Sequence, residues 1–262
     1  MSELPDFLSE VVAGVRESIR QGYYDLAERV DKADRPSLRN VVENTRLPII
    51  GEIKPRSPSL GRLIDQVDVD LALSLERVGA SAISIIVERT HFDGSLELLC
   101  KASQRLGVPV LFKDFVVGSK QVEAAYKGGA DIILLIAELF RDGYTELPLN
   151  QTIRLAHSMG LEVLLEFHDP QLLPQVVESE ADYIGVNNRD LYTLNLYADH
   201  FYNLAPKLGR HVFKVAESGY SECGRIARDR RIGAHAFLIG SAIMSSVNPP
   251  EKLRELLDCD QD

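Results

Sequence analysis

The stretch PIIGEIKPRSPSLG, from Pro48 to Gly61, changes within a few residues from an apolar strand to a polar loop. Because successive side chains of a strand point to opposite faces, Glu52 and Lys54 lie on one face together. Burying such a charged pair costs several kcal/mol unless partners satisfy it, so a sequence seldom keeps one for stability alone. Pro55 and Pro58 end the strand, since proline cannot donate to a sheet. The stretch therefore predicts a strand that carries two opposite charges to the mouth of an enclosed space.

Similar apolar runs recur along the rest of the chain, with helix-like stretches between them. This alternation is typical of βα units and a parallel sheet. Eight such units, each of roughly thirty residues, fit a closed (β/α)8 barrel better than an open doubly wound sheet. We therefore predict an α/β protein with a single TIM barrel. The eight runs begin at Pro48, Ser81, Val108, Asp131, Leu161, Asp182, His211 and Ala236.

Residues 1–46 precede the first predicted strand and have a helical pattern. Apolar residues recur at the spacing of one helix face from Phe7 through Val15 to Ile19. A further helix is predicted near Leu26 to Val30. We predict an N-terminal helical extension over 1–46 that packs on the barrel, and a barrel domain over 47–262.

Composition and charge exclude several classes of protein. The chain is 45% hydrophobic and 26% charged, as in globular proteins with a sizeable core. A formal net charge of -10 argues against nucleic acid and anionic membranes as partners, since both bind basic surfaces. No apolar run has the length of a membrane helix and the acidic N-terminus does not resemble a signal peptide, so we expect a cytoplasmic protein. The three cysteines have no metal-ligand spacing, and we expect structural, unreactive thiols.

Polar side chains lie near the ends of several predicted strands. In a barrel these C-terminal strand ends form the catalytic face. Burial lowers the pKa of a lysine and raises that of a carboxyl group, which suits both to proton transfer near neutral pH. A structural ion-pair network is the alternative, but recurrence at corresponding positions favours acid–base catalysis. The polar residues are Glu52, Lys54, Lys113, Glu166, Asn187 and Glu217.

Two small-residue turns follow the seventh and eighth predicted strands. Ser218-Gly219 and Gly240-Ser241 each separate an apolar run from a helix candidate. Barrels frequently bind phosphate here with loop amides and a helix N-terminus, so these turns predict a phosphate site. Ordinary strand-to-helix turns are the alternative. His168 lies near Glu166, but no further ligand has a metal-site spacing, and we predict no metal.

An ordered set of longer motifs resembles the indole-3-glycerol phosphate synthase family over essentially the whole chain. The resemblance implies a phosphorylated small-molecule substrate, 1-(2-carboxyphenylamino)-1-deoxyribulose 5-phosphate, converted to indole-3-glycerol phosphate, carbon dioxide and water in tryptophan biosynthesis. It implies no cofactor, and other tryptophan-pathway enzymes as partners. The motifs are EIKPRSPS from Glu52, FDGSLELL from Phe92, LFKDF from Leu111, ADIILLIAELF from Ala130, LLEF from Leu164, IGVNNRDL from Ile184, VAESG from Val215 and FLIGSAIM from Phe237.

The resemblance also implies catalytic roles. Lys113 matches the general acid that protonates the substrate carbonyl while the aromatic ring attacks it. Glu166 matches the second proton-transfer group, the base of the dehydration half. Lys54 resembles the lysine that contacts substrate anions and supplies a second acid, and Glu52 and Asn187 orient these groups.

Substrate-binding residues follow from the same resemblance. Ser57 and Arg189 match positions near the anthranilate carboxylate, and Glu217 resembles a hydrogen-bonding member of the polar set. The phosphate positions are Ser218, Gly219, Gly240 and Ser241. The expected apolar wall for the aromatic ring comprises Phe92, Phe112 and Leu135.

The loop after the first strand departs from the family. It has Pro55 and Leu60 at positions where family members often have basic residues. We expect Arg56 to compensate for the missing charge.

An isomerase, an aldolase and a catalytically silent barrel remain open alternatives. An isomerase of the same phosphate-binding barrel group would use a Cys/Asp or Asp/Asp pair where this chain has Glu52 and Lys54, and an aldolase would form a Schiff base through Lys113 or Lys54. A catalytically silent barrel would have lost the lysines and carboxylates while keeping Gly219 and Gly240.

Overall fold

A closed barrel of parallel strands forms the centre of the molecule. The computed structural model describes residues 6–260, and within them eight strands pair in one closed sheet. The last barrel strand closes on the first, with Leu238 opposite Ile50. The predicted single (β/α)8 TIM barrel is therefore confirmed. The strands are β1 (Ile49–Ile53), β2 (Arg56–Ser57), β3 (Gly61–Arg62), β4 (Ala82–Ile86), β5 (Val110–Lys113), β6 (Ile132–Ile136), β7 (Glu162–Phe167), β8 (Tyr183–Asn187), β9 (Lys214–Glu217) and β10 (Ala236–Ile239), of which β2 and β3 form a separate antiparallel hairpin.

Helices follow the barrel strands, and their first residues explain where they begin. Asp68, for example, accepts a hydrogen bond from the Leu71 amide and so satisfies one of the free N–H groups at the start of a helix. The α-helices are α1 (Phe7–Arg20), α2 (Leu38–Glu43), α3 (Val69–Val78), α4 (Leu96–Ser103), α5 (Ser119–Lys127), α6 (Ala137–Arg141), α7 (Leu149–Ser158), α8 (Leu173–Val177), α9 (His200–Leu204), α10 (Cys223–Arg231), α11 (Ser241–Met244) and α12 (Pro249–Leu257).

Strand alternation divides the buried apolar residues into two cores. Ile49 and Ile53 of β1 pack outward, in the core between the strands and the helices. Ile50, between them, belongs to the core inside the barrel. Since Glu52 follows Ile50 by two residues, it also points inward, which places its carboxylate in the barrel mouth.

The segment 7–43, which we call the N-terminal strap, runs along the barrel from mouth to base. Leu8 of α1 and Leu38 of α2 both join the core inside the barrel, at its two ends. Between them Arg35 is fully buried and its Nε donates to Asp131 Oδ2 at 2.6 Å. The strap therefore packs against both ends of the barrel.

The helix predicted near Leu26 to Val30 is wrong. These residues have no regular structure, and helix α2 begins only at Leu38. The reason is that their backbone bonds to the barrel: the Val30 amide donates to Lys127 O at 2.8 Å. An amide used in this way cannot enter a helical turn.

The boundary at residue 46 stays a prediction, because no comparison tests it. Residues 1–5 and 261–262, included in the predicted extension and barrel domain, lie outside the described residues. Within 6–260, no helix has the length and apolar character needed to cross a lipid bilayer.

The expectation of unreactive thiols is wrong for two of the three cysteines. Cys223, the first residue of α10, forms a disulfide with Cys259, beyond α12. Their sequence separation of 36 residues gave no sign of this pairing, because it depends on where the two helices pack. Cys100 is a free, half-buried thiol whose pKa is raised by burial.

Candidate active site

The residues predicted for catalysis and for the phosphate and carboxylate sites line one cavity, together with Phe92, at the C-terminal ends of the barrel strands. Its volume is about 420 Å³, within the range of small-molecule sites. Strand ends supply the charged groups and the following loops supply the serines and glycines. The predicted residues that line it are Glu52, Lys54, Ser57, Phe92, Lys113, Glu166, Asn187, Arg189, Glu217, Ser218, Gly219, Gly240 and Ser241.

Lys113 is the centre of the polar set. Its Nζ lies 2.8 Å from Glu166 Oε2 and 3.3 Å from Glu217 Oε2. Burial alone would lower the Lys113 pKa, but the charges of Glu166, Glu217 and Glu52 outweigh burial and raise it. Lys113 therefore carries a proton at neutral pH and holds it beside two carboxyl groups.

The two carboxyl groups around Lys113 have opposite pKa shifts. Burial acts against ionisation of Glu166, but Lys113 outweighs it and lowers the Glu166 pKa. For Glu217, burial and the neighbouring charge of Glu166 raise the pKa well above its ordinary value. One carboxyl group of the pair is thus a base and the other holds a proton, the arrangement that acid–base chemistry needs.

Glycine at position 185 allows this pair to form. A Cβ atom on Gly185 would lie 2.1 Å from Glu217 Oε1, so a larger residue would displace the carboxyl group. Glu217 Oε1 is buried and has no hydrogen-bond partner among the described residues.

The second charged pair consists of Glu52 and Lys54. Lys54 Nζ lies 2.7 Å from Glu52 Oε1, and the lysine side chain is 15% exposed against 2% for the carboxylate. Lys54 therefore lies nearer the opening of the cavity. Gly240 approaches Glu52 so closely that a Cβ would lie 2.3 Å from Oε1, which joins this pair to the predicted phosphate turn.

Asn187 holds Glu166 in place from the neighbouring strand. Its Nδ2 donates to Glu166 Oε1 at 2.6 Å, and its Oδ1 accepts from the Arg189 amide at 2.9 Å. His168 Nδ1 lies 2.7 Å from the Asn187 carbonyl oxygen. His168 therefore contacts the backbone behind the site, and within 6–260 no cluster of His, Cys, Asp or Glu could hold a metal ion.

The opposite side of the cavity has the geometry of an anion site. Ser218 and Gly219 have positive φ angles of 67° and 78°, which turn the chain sharply after β9. Helix α11 begins at Ser241, and the first amides of a helix have no intrahelical partner. Loop and helix amides at this place favour negative charge.

Of the three residues predicted for the apolar wall, Phe92 lies at the cavity and its contact with the aromatic ring stays a prediction, whereas the prediction is wrong for Phe112 and Leu135. Phe92 lines the cavity, and its ring lies 5.9 Å from that of Phe115. Phe112 and Leu135 pack in the outer core, toward the helices. Since Lys113 points into the barrel, its neighbour Phe112 must point out; Leu134 and Ile136 line the cavity instead.

The loop after β1 covers one edge of the cavity. A hydrogen bond from the Arg56 amide to the Phe92 carbonyl oxygen, at 3.2 Å, joins the β2–β3 hairpin of this loop to the segment after β4. Ser57 Oγ lies 3.2 Å from Ser59 Oγ, and Leu60 lines the cavity although it is 60% exposed. On the facing loop, Arg189 Nη1 donates to Leu194 O at 2.7 Å, and burial lowers the Arg189 pKa.

Sequence reasoning missed a buried pair that connects the strap to the cavity. Tyr24 Oη donates to Asp114 Oδ2 at 2.7 Å, and Asp114, next to Lys113, lines the cavity. Burial raises the Asp114 pKa to about 7. The signal was present in the motif LFKDF, where an acidic residue directly follows the lysine at a strand end.

Comparison with solved structures shows the fold. The chain is similar to a thiamine phosphate pyrophosphorylase from Pyrococcus furiosus, with a TM-score of 0.59, 15% identity and coverage of 86% of this chain and 98% of the other. It is also similar to an N-acetylmannosamine-6-phosphate 2-epimerase from Clostridium perfringens, with a TM-score of 0.59, 13% identity and coverage of 86% and 96%.

Comparison at the level of sequence goes further. The family model described as indole-3-glycerol phosphate synthase matches residues 8–256. Proteins of that name from Mycolicibacterium gilvum and Nocardioides sp. are 34% and 36% identical to the chain, over 95% of its length and 93% and 97% of theirs. The one from Streptomyces coelicolor is 35% identical over 95% and 94%. The family expected from the motifs is confirmed, and the chain belongs to the indole-3-glycerol phosphate synthase family.

Proposed function

We propose that the chain converts 1-(2-carboxyphenylamino)-1-deoxyribulose 5-phosphate to indole-3-glycerol phosphate, carbon dioxide and water in tryptophan biosynthesis. The supporting observation is Lys113 between Glu166 and Glu217, in a cavity with apolar residues on one side and glycine–serine turns on another. The reaction needs an acid, a base, an aromatic-ring site and a phosphate site, and this cavity offers each.

In the first half of the reaction, the ring carbon that bears the carboxylate attacks the ribulose carbonyl. A carbon–carbon bond forms and the carbonyl oxygen takes a proton from Lys113 Nζ. The ring then loses carbon dioxide, and the electron pair of the broken bond restores its aromaticity. Positioned proton donors of this kind contribute about 10²–10⁴-fold in rate, and close contact of ring carbon and carbonyl adds a proximity term.

In the second half, the new hydroxyl group leaves as water. Lys54 supplies the proton to the departing oxygen, and Glu166 removes the proton that completes the pyrrole double bond. The lowered Glu166 pKa keeps this base ionised. Asn187 orients Glu166 through the 2.6 Å hydrogen bond, and Glu52 orients Lys54 at 2.7 Å.

The remaining residues bind the ends of the substrate. Ser218, Gly219, Gly240 and Ser241 are assigned to the phosphate, next to the amides of α11. Ser57 and Arg189 are assigned to the anthranilate carboxylate. The desolvated guanidinium of Arg189 is assigned the positive charge at this edge, and the exposed Arg56, next to Ser57 in the chain, is assigned the charge that Pro55 and Leu60 do not supply.

A cytoplasmic location and association with other enzymes of the pathway belong to the same proposal. Membership of a biosynthetic family supports both. Cell fractionation and co-purification test them, and the disulfide between Cys223 and Cys259 gives a further readout. A reducing cytoplasm keeps most such pairs as thiols, so thiol counting on freshly lysed cells reports the compartment.

The experiment that tests the function is a fluorescence assay for the indole product. Purified protein should generate indole fluorescence from the carboxyphenylamino-deoxyribulose phosphate. Folded protein that forms no product would refute the proposal. Borohydride treatment with carbonyl substrates tests the aldolase alternative, because only a Schiff-base enzyme would become covalently labelled at Lys113 or Lys54.

A further inference from the structure

Arg225 lies directly behind the predicted phosphate turn. It belongs to α10, and its Nη1 donates to the Gly219 carbonyl at 2.6 Å. A Cβ on Gly219 would lie 2.7 Å from the same Nη1 and 2.8 Å from a methyl of Leu196. The guanidinium of Arg225 is therefore packed against the turn, close to Leu196.

The Arg225 guanidinium is held by the residue that follows the turn. It lies 4.7 Å from the centre of the Tyr220 ring, a cation–π distance. Tyr220 Oη in turn donates to Asp229 Oδ2 at 2.7 Å and accepts from Asn188 Nδ2 at 3.3 Å. Tyr220 is thus fixed at both its ring and its hydroxyl, and it gives Arg225 a rigid surface to pack on.

These contacts use only one of the three guanidinium nitrogens of Arg225 as a hydrogen-bond donor. Its Nε and Nη2 are buried and have no hydrogen-bond partner among residues 6–260. Leaving buried donors unpaired is costly, so stability alone does not account for an arginine here. Its positive charge also has no carboxylate as an ion-pair partner among those that the structure describes.

We propose that Arg225 is a positioning residue for the substrate phosphate, an inference that rests on the proposed function. The bond to the Gly219 carbonyl fixes the orientation of the planar peptide between Gly219 and Tyr220. Since the C=O and N–H of a trans peptide point in opposite directions, the Tyr220 N–H points away from Arg225. The unneutralised charge of Arg225 then adds to the attraction of the turn for a phosphate dianion.

Three variants separate these contributions. Arg225→Gln removes the charge and the planar guanidinium group, and Arg225→Lys keeps the charge and a donor but not the planar group. Arg231→Gln is the matched control, since it removes one positive charge from an exposed position at the end of α10. Each variant is measured for kcat and KM with the substrate, for the dissociation constant of inorganic phosphate by calorimetry, and for thermal unfolding.

Arg225→Gln should raise KM and the phosphate dissociation constant together by about tenfold, the effect of losing a charged hydrogen bond, with kcat within about twofold. Arg225→Lys should recover part of this loss. Arg231→Gln should leave all three values within about twofold of wild type.

Two results would overturn the inference. The first is phosphate affinity within twofold of wild type in folded Arg225→Gln protein; the second is a fall in kcat with KM unchanged. Phosphate calorimetry needs no turnover, so wild-type protein without activity would refute the proposed function alone. If Arg225→Gln fails to fold, the phosphate affinity of Arg225→Lys decides. Wild-type affinity in this variant would overturn the inference, because it would leave the planar guanidinium group without a role in positioning the turn.

Discussion

Replacing Lys113 by methionine tests whether one buried ammonium group supports both the chemistry and the ionisation of the site. Methionine has a similar length, so the change removes the charge and leaves most of the packing. The proton donor to the carbonyl is lost, and kcat should fall by about 10²–10⁴-fold. KM should change little, because Lys113 acts mainly in the transition state.

The effect on stability follows from the two contacts at 2.8 and 3.3 Å. Removing one partner of a buried ion pair costs about 3–5 kcal/mol, because the remaining charge is uncompensated. In the wild type, Lys113 lowers the Glu166 pKa; in Lys113→Met, burial raises the pKa of both Glu166 and Glu217. A carboxyl group with a raised folded-state pKa binds more protons when folded than unfolded, so stability falls as pH rises above its unfolded-state pKa.

Urea unfolding at pH 5 and pH 8 measures this effect. The loss of unfolding free energy relative to wild type should be smaller at pH 5, where the carboxyl groups take up protons, and should reach the full value at pH 8. Lys120→Met is the control, because it removes a lysine whose pair with Asp25 is more than half exposed. The reasoning is refuted if Lys113→Met retains more than a tenth of wild-type kcat, or if its stability deficit is the same at both pH values.

Three further predictions concern the surroundings of the site. Gly240→Ala should lower activity by about 10²-fold, because its Cβ would lie only 2.3 Å from Glu52 Oε1 and would displace that carboxylate. Gly224→Ala is the control, since its Cβ would meet nothing within 4 Å. Steady-state kinetics should show a loss of activity for the first variant and none for the second. Asp114→Asn should flatten the pH dependence of stability. The folded-state pKa of about 7 against 3.8 means that Asp114 lowers wild-type stability by up to about 1.4 kcal/mol per pH unit as pH rises between these values, and in urea unfolding the slope of the variant should be smaller by this contribution. Cys259→Ser should lower the unfolding free energy of the oxidised protein by about 4 kcal/mol, for a closed loop of 36 residues, and equal urea midpoints for variant and oxidised wild type would contradict this.

Much of the fold was predictable because its signals are local. A run such as DIILLI is apolar and short, and the Gly-Ala pair directly before it recurs before two other strands, at Gly79 and Gly233. The direction of the charged side chains also follows from local alternation, since Glu52 and Ile50 share a face. Applied to β5, the same rule excludes Phe112 from the cavity once Lys113 is placed inside it.

Other parts of the structure depend on contacts between distant residues. Arg225 lies in a segment that predicts only an exposed basic helix, and its position behind Gly219 depends on how α10 follows the turn. The pairing of Tyr24 with Asp114 joins residues 90 apart in sequence. A single sequence contains no pattern that predicts either contact, because each one depends on how separate elements pack together.

The N-terminal strap has a consequence for the order of events during protein synthesis. Helix α1 is synthesised before the barrel strands, yet the apolar face formed by Leu8, Val11 and Val15 packs against the core that those later strands enclose. The Arg39 amide, near the end of the strap, bonds to the Tyr183 hydroxyl 144 residues further along the chain. Contacts of such long range form slowly, and apolar surfaces that wait for their partners are prone to association. The nascent chain therefore exposes the apolar face of α1 until the barrel strands have been made, and a chaperone that shields apolar helices would most increase the yield in this interval.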